Sequence, residues 1–279
     1  MSDWKAGYDE QGYRFPVRAV SAEQAVAYRR RLEAAEAALA DDPTSVKLMH
    51  MQPAALLDFA DEIARLPSIV EPVTEILGED VLLWNATFFI KEPMSTSYIS
   101  WHQDLKYWGM GEEGHEVTAW LALSDVTTAT GCMKFVPGSH HLDMVEHVDT
   151  FAEDNLLSRG QEIAVDVDEA EAVHVELRPG EMSLHHGKLF HGSSPNTTTD
   201  RRIGLALRYI APSMGQGTEP KPFAKLVAGE DRHGHYRLID PPLGVMAAPD
   251  VERARESMRI QEEFLFAGAK FDLGQRDSA

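Results

Sequence analysis

The chain has 279 residues and a mass of 31.0 kDa, with 43% apolar and 25% charged residues. That is the balance of an ordinary globular protein, not of a collagen-like, disordered or disulfide-stapled one. Twenty-six Lys+Arg against 45 Asp+Glu leave a formal charge of −19, which repels phosphate polymers; the densest basic run, Arg29-Arg30-Arg31, sits in a helical pattern beside glutamates.

A single cysteine, Cys132, excludes intrachain disulfides and cysteine-rich metal sites and suits a reducing compartment. The first residues carry no basic-then-apolar leader, and no uncharged run approaches the roughly 18 residues of a membrane span. The expectation is a cytoplasmic protein with neither nucleic-acid nor membrane partners.

In chain order, residues 22–39 read as a helix, with Ser21 as its cap and Gln24 completing an S-x-x-Q capping box. A second helical tract runs over about 53–77, broken at Pro67 and Pro72 and ending near Gly78. From residue 81 the texture turns to short β-favouring stretches: Val81–Lys91, Val117–Leu123, Lys134–Val136, Ala172–Leu177 and Met182–Leu184. Lys188–His191 and Ile203–Ile210 flank the turn-rich Ser193–Asp200, and a last amphipathic helix fits about 249–267. Helices first and strands afterwards predict an α+β fold with a β-sandwich or barrel core, and the lack of repeats or linkers predicts one domain.

Without cysteine ligands, metal chemistry must come from histidine and carboxylate. An H-x-D at a strand end puts both side chains on one face, and a remote histidine completes a facial triad that leaves sites open on non-haem Fe(II). The triplet alone is weak, since with 12 histidines chance supplies about one. This chain has three: His102-Gln103-Asp104, His141-Leu142-Asp143 and His147-Val148-Asp149. The last two sit in a polar stretch and read as solvated loop. The first lies among aromatics, in Trp101-His-Gln-Asp-Leu-Lys-Tyr-Trp108, and has the context of a shielded site.

Candidates for the remote histidine are His174, His185, His186 and His191; of the adjacent pair, only one can face a given site. If 188–193 and 201–210 form a hairpin, His191 lies opposite Arg202 or Ile203. Arg202 shares a strand face with Gly204, Ala206 and Arg208, two small residues between two arginines, as on a face left open for an anion.

These features, WHQD, Gly131-Cys-Met-Lys-Phe-Val-Pro-Gly-Ser-His140 and His191-Gly-Ser193 followed by Arg202, resemble the phytanoyl-CoA dioxygenase family. The resemblance runs from about residue 7, at Gly7-Tyr8-Asp9-Glu10-Gln11-Gly12-Tyr13, to about 212, leaving 213–279 as a C-terminal extension. It implies a double-stranded β-helix (jelly-roll) core flanked by N-terminal and C-terminal helices, and a reaction that uses Fe(II), 2-oxoglutarate and O2. It makes His102, Asp104 and His191 the iron ligands, and Arg202 with Ser193 the holders of the distal carboxylate of 2-oxoglutarate. Gln103 and Trp120 match positions lining the cosubstrate pocket, and Lys47 and Thr87 align with two further contacts. Related halogenases replace the carboxylate of the triad by Gly or Ala, so Asp104 implies a hydroxylase, releasing succinate and CO2.

For the substrate, Lys106, Tyr107 and Trp108 follow the triplet toward the open side, and the polar segment 150–161 is a candidate lid. Asn155, Arg159, Gln161 and Arg208 are candidate contacts for a small polar or anionic molecule, and the faces of Tyr107 and Trp108 suit an ammonium group. A zwitterion, such as an aminoalkylphosphonate, or a quaternary ammonium compound is the expectation. Two rival readings are a cupin-like metal hydrolase or isomerase, which has no use for Arg202, and a non-catalytic β-sandwich that tolerates loss of His102.

Overall fold

The computed structural model describes residues 3–111, 113–150, 152, 154–157 and 160–265. Helix α1 (Asp3–Gln11) and strand β1 (Tyr13–Arg18) precede α2 (Ala22–Ala38), where both hydrogen bonds of the Ser21–Gln24 capping box form. Buried Ala25, Tyr28, Leu32 and Ala35 repeat at helical spacing along one face of α2. Helix α3 (Pro43–Met51) had no sequence forecast. The tract 53–77 divides into α4 (Pro53–Leu56), α5 (Asp58–Ala64) and α6 (Pro67–Leu77). Contrary to expectation α6 continues through Pro72, because buried Ile69 and Val73 on either side hold it to the core despite the missing donor.

The strands follow: β2 (Val81–Lys91), β3 (Ile99–His102), β4 (Glu116–Ala122), β5 (Met133–Phe135), β6 (His147–Asp149), β7 (Gln161–Ile163), β8 (Val173–Val175), β9 (Glu181–His185), β10 (His191–Ser193), β11 (Arg202–Ile210), β12 (Phe223–Ala228) and β13 (Arg237–Leu238), then helix α7 (Ala248–Leu265). They form a seven-stranded sheet, β1-β9-β4-β11-β2-β12-β13, a four-stranded sheet, β3-β10-β5-β8, and a β6-β7 ribbon. The two larger sheets make the jelly-roll core.

Alternation on β11 sorts its side chains as expected. Ile203, Leu205 and Leu207 join Leu32, Phe59 and Ile63 in the core between sheet and helices, and the Tyr209 hydroxyl donates to the Ala64 carbonyl at 2.9 Å. The opposite face, Arg202, Ala206 and Arg208, lines a cavity between the sheets. Gly204 completes that face because a Cβ there would lie 1.7 Å from Trp120, an overlap no rotamer adjustment of so large a ring absorbs cheaply.

The hairpin expectation is overturned. β10 pairs with β3 and β5, and β11 with β2 and β4, so the two strands belong to different sheets. The connection between them crosses the core's edge, pinned by buried Asn196, whose amide donates to the carbonyls of Lys91, Glu92 and Asp200. His191 therefore lies opposite His102, and Arg202 opposite Lys91. His147-Val148-Asp149 is likewise not a solvated loop but strand β6, whose His147 Nε2 accepts from the Gln103 N–H at 3.1 Å. Among the described residues no helix is long and apolar enough to cross a membrane.

Candidate metal and cosubstrate site

His102 ends β3, and Asp104 opens a short 3-10 turn (Asp104–Tyr107) tied down by the Leu105 N–H donating to the Gly187 carbonyl. Across the antiparallel pair stands His191, with its ring centroid 4.0 Å from that of His102. One ligand atom from each of His102, Asp104 and His191 lies within 4.8 Å of the others. Each imidazole is oriented through Nδ1, 2.9 Å from a backbone carbonyl, Ser100 for His102 and Leu189 for His191. A carbonyl only accepts, so Nδ1 carries the hydrogen and the Nε2 lone pairs face inward.

Asp104 Oδ1 lies 3.3 Å from His102 Nε2 and 4.0 Å from His191 Nε2, while Oδ2 lies 3.8 Å from Arg208 Nε. Burial opposes ionisation of Asp104, but the Arg208 charge and the His102 contact outweigh it and hold the carboxyl well below its ordinary range. Burial, with the charge of His102 adding, lowers His191 to about 4. A neutral imidazole beside an ionised carboxylate is the protonation a divalent cation requires.

The cavity beside the triad is walled by Phe89, Trp120, Ser193, Arg202 and Arg208 as well as the triad. Arg202 is 1% exposed, its Nε and Nη2 have no hydrogen-bond partner among the described residues, and its guanidinium sits 5.2 Å from the Trp120 ring centroid. No carboxylate among the described residues pairs with it, and burial lowers it to about 10. A buried, unneutralised guanidinium is costly unless an anion joins it. The donor sets at the two ends of the cavity thus fit a divalent metal and a carboxylate.

Other expected contacts lie elsewhere. Gln103 is buried and turned from the cavity, its amide donating to the Lys188 carbonyl and accepting from the Val145 N–H; it braces the loop. Lys47 is exposed on α3, whose buried face is formed by Ser45, Leu48 and Met49. Thr87 stands one layer back, accepting from Arg208 Nη1 at 3.2 Å. Asn155 binds the Ser100 hydroxyl and the Leu157 N–H instead of lining the cavity. Trp108 is buried, tilted against Trp84 at 4.9 Å and facing Arg208 at 5.8 Å, and Tyr107 meets His147 in a T-shaped contact; neither ring lines the cavity. Arg159 and the side chain of Gln161 lie outside the described residues. Of the other histidines, His185 lines the cavity, His186 points to the far side of the sheet and His174 is exposed beside Cys132.

The sequence reading missed Lys91 and Glu116. Glu116, at the start of β4, is fully buried; Oε1 accepts from the Gly187 N–H at 2.7 Å and Oε2 has no hydrogen-bond partner among the described residues. Burial, with the charge of Asp104 adding, raises it from 4.5 to about 8 against the pull of that N–H. Between those values the folded chain keeps a proton that the unfolded chain releases, so stability falls as pH rises through the window and levels off above it. Glu116→Gln removes this slope. At pH 8 the variant is expected to be more stable than the parent by on the order of 2 kcal/mol, or about 5 °C in Tm, and at pH 4 nearly equal to it. Melting curves from pH 4 to 9 that run parallel would contradict the assignment.

A jelly roll holding a His-Asp-His cluster beside a buried arginine is the architecture of a metal-dependent oxygenase. The model of the family described as phytanoyl-CoA dioxygenase (PhyH) matches residues 8–204, and the chain belongs to this family of Fe(II)- and 2-oxoglutarate-dependent oxygenases. The "Probable alpha-ketoglutarate-dependent hypophosphite dioxygenase" of Stutzerimonas stutzeri is 30% identical over 69% of this chain and 68% of its own length. The peroxisomal phytanoyl-CoA dioxygenase of Homo sapiens is 27% identical over 59% of this chain, a match spanning only 51% of the human protein. Among solved structures, the apo form of the non-heme monooxygenase ThoJ superposes with a TM-score of 0.85 at 29% identity, covering 95% of this chain and 98% of that one.

Proposed function

We propose that the protein is a hydroxylase that uses Fe(II), 2-oxoglutarate and O2 to oxidise a C–H bond of a small anionic molecule, releasing succinate and CO2. The observation that carries the reading is the unneutralised, buried Arg202 at one end of a cavity whose other end is the His102-Asp104-His191 cluster. The three ligand residues would hold the iron, which supplies the oxygen activation that side chains cannot. Arg202 and Ser193 hold the distal carboxylate of the cosubstrate, and Trp120 forms the wall against which it lies.

Arg208 serves the substrate. It lines the cavity, its buried Nε–H has no acceptor within hydrogen-bond distance among the described residues, and it is fixed by Asn85 and Thr87 through Nη1. A guanidinium so placed favours a carboxylate, phosphinate or phosphonate, in keeping with the anion named for the Stutzerimonas relative. The ammonium half of the expected zwitterion loses its support, since neither Tyr107 nor Trp108 lines the cavity.

The test is anaerobic optical titration of the Fe(II)-loaded protein with 2-oxoglutarate, followed by a substrate panel scored by succinate release. A saturable visible charge-transfer band and coupled turnover with small anions are expected. Iron binding without the band would return the hydrolase or isomerase reading, and turnover confined to neutral lipophilic compounds would remove the role of Arg208.

A further inference from the structure

Lys91 closes β2 directly opposite Arg202 in the β2–β11 register, and the two buried side chains are 0% and 1% exposed. Lys91 Nζ donates to Ser193 Oγ at 2.6 Å and to the Ser194 carbonyl. It does not line the cavity; Ser193 and Arg202 do. The direction of the first bond matters. Because Ser193 Oγ accepts from Lys91, its only O–H is left to donate into the cavity. Lys91 therefore acts through Ser193, holding that hydroxyl as a donor at the end where Arg202 waits for an anion.

We propose that Lys91 is a positioning residue that takes up a proton when the distal carboxylate of 2-oxoglutarate binds between Arg202 and Ser193. The inference rests on the cosubstrate reading above. Two cations side by side on a dry strand face, with no carboxylate near among the described residues, cannot both be sustained, and an arginine does not release its proton. The charged and titratable groups facing Lys91 are Arg202 from β11, Lys134 from β5 and, just ahead of β5, Cys132, whose thiol burial keeps neutral. Burial first, then Arg202, lower Lys91 to about 6, while Lys134 acts in the same sense. As a neutral amine it still has the two N–H groups that Ser193 and Ser194 use. An arriving carboxylate supplies the missing negative charge, and a proton from solvent converts the amine to ammonium; no bond to carbon changes.

Binding that takes up a proton weakens as pH rises. From about pH 7 upward the Kd for 2-oxoglutarate is expected to increase by about tenfold per unit until the pKa of Lys91 in the complex is passed. Its own carboxylates are ionised throughout and contribute nothing to the slope.

The experiment is calorimetric titration of the Co(II)-loaded protein with 2-oxoglutarate under argon, in buffers of different ionisation enthalpy at pH 7.5. The parent is expected to take up close to one proton per ligand. Lys91→Met is expected to bind more weakly at pH 7, with the pH slope and the proton uptake both gone. A lysine that mattered only for packing would leave the proton count unchanged. Should the variant fold poorly, the 13Cε shift of lysine in the labelled, Zn(II)-loaded parent reads the same event, moving from the amine to the ammonium position on addition of 2-oxoglutarate. Binding without proton uptake, or uptake that survives Lys91→Met, overturns the coupling alone. No binding to the metal-loaded parent overturns the cosubstrate reading and this inference with it.

Discussion

Arg202→Met is expected to raise the Kd for 2-oxoglutarate by roughly 100-fold or more while leaving the unliganded protein as stable as before, or more so. The two effects separate because no carboxylate among the described residues pairs with the guanidinium. Removing one partner of a buried, hydrogen-bonded charge pair costs about 3 kcal/mol, which is the loss the complex would feel. In the free protein the same change removes an uncompensated buried charge and replaces it with a flexible apolar side chain against Trp120. Such replacements are often neutral or stabilising by about 1–3 kcal/mol. Binding collapses, then, without a fall in Tm, a combination that general damage to the fold cannot produce. Lys91 moderates the loss, since without Arg202 beside it the amine holds its proton more readily and keeps one cation at that end. An unchanged Kd would show that the carboxylate lies elsewhere in the cavity.

The parts of this site that were legible in the sequence are those set by local geometry. Alternation along β11 placed Arg202 and Arg208 on one face, and the strand-end H-x-D placed His102 and Asp104 together, because both depend only on the period of an extended chain. The capping box at Ser21 is equally local. What could not be read were relations between strands far apart in sequence. The stretch 193–200 carries the composition of a hairpin turn, yet Asn196 anchors it to the end of β2 and it changes sheets. Lys91 has the look of the end of an apolar run; counted by twos through Phe89 and Thr87 it falls on the sheet face that carries Arg202 and Arg208. The burial of Trp108 is not local either, because its partner Trp84 comes from β2, far back in the sequence. Lys47 occupies the exposed face of α3, a placement that spacing along the chain does not determine.

The largest loss is expected from Asp104. Apparent free energies of about 10–16 kcal/mol for four-ligand metal sites imply roughly 3 kcal/mol per ligand, so removing one of three should weaken metal binding by at least about 100-fold. His191→Ala should lose about that much. Asp104→Asn should lose about tenfold more, although the shape of the side chain is kept. Asp104 is the only negative ligand of the three, and Arg208 Nε stands 3.8 Å from its outer oxygen. Without the carboxylate a divalent ion would sit near an unneutralised guanidinium with two neutral imidazoles for company, and the repulsion in so dry a place is several-fold stronger than in water. The same argument predicts a partial reversal. Arg208→Gln added to Asp104→Asn removes the repelling charge and should recover about tenfold in affinity, whereas Arg208→Gln alone should weaken binding by freeing the outer oxygen of Asp104. Competition titrations with Co(II) on the four proteins of this cycle measure the coupling between the two residues directly. A coupling near zero would mean that Arg208 serves the substrate without supporting the metal. An Asp104→Asn protein that binds Co(II) within threefold of the parent would mean that the cluster is not the metal site at all.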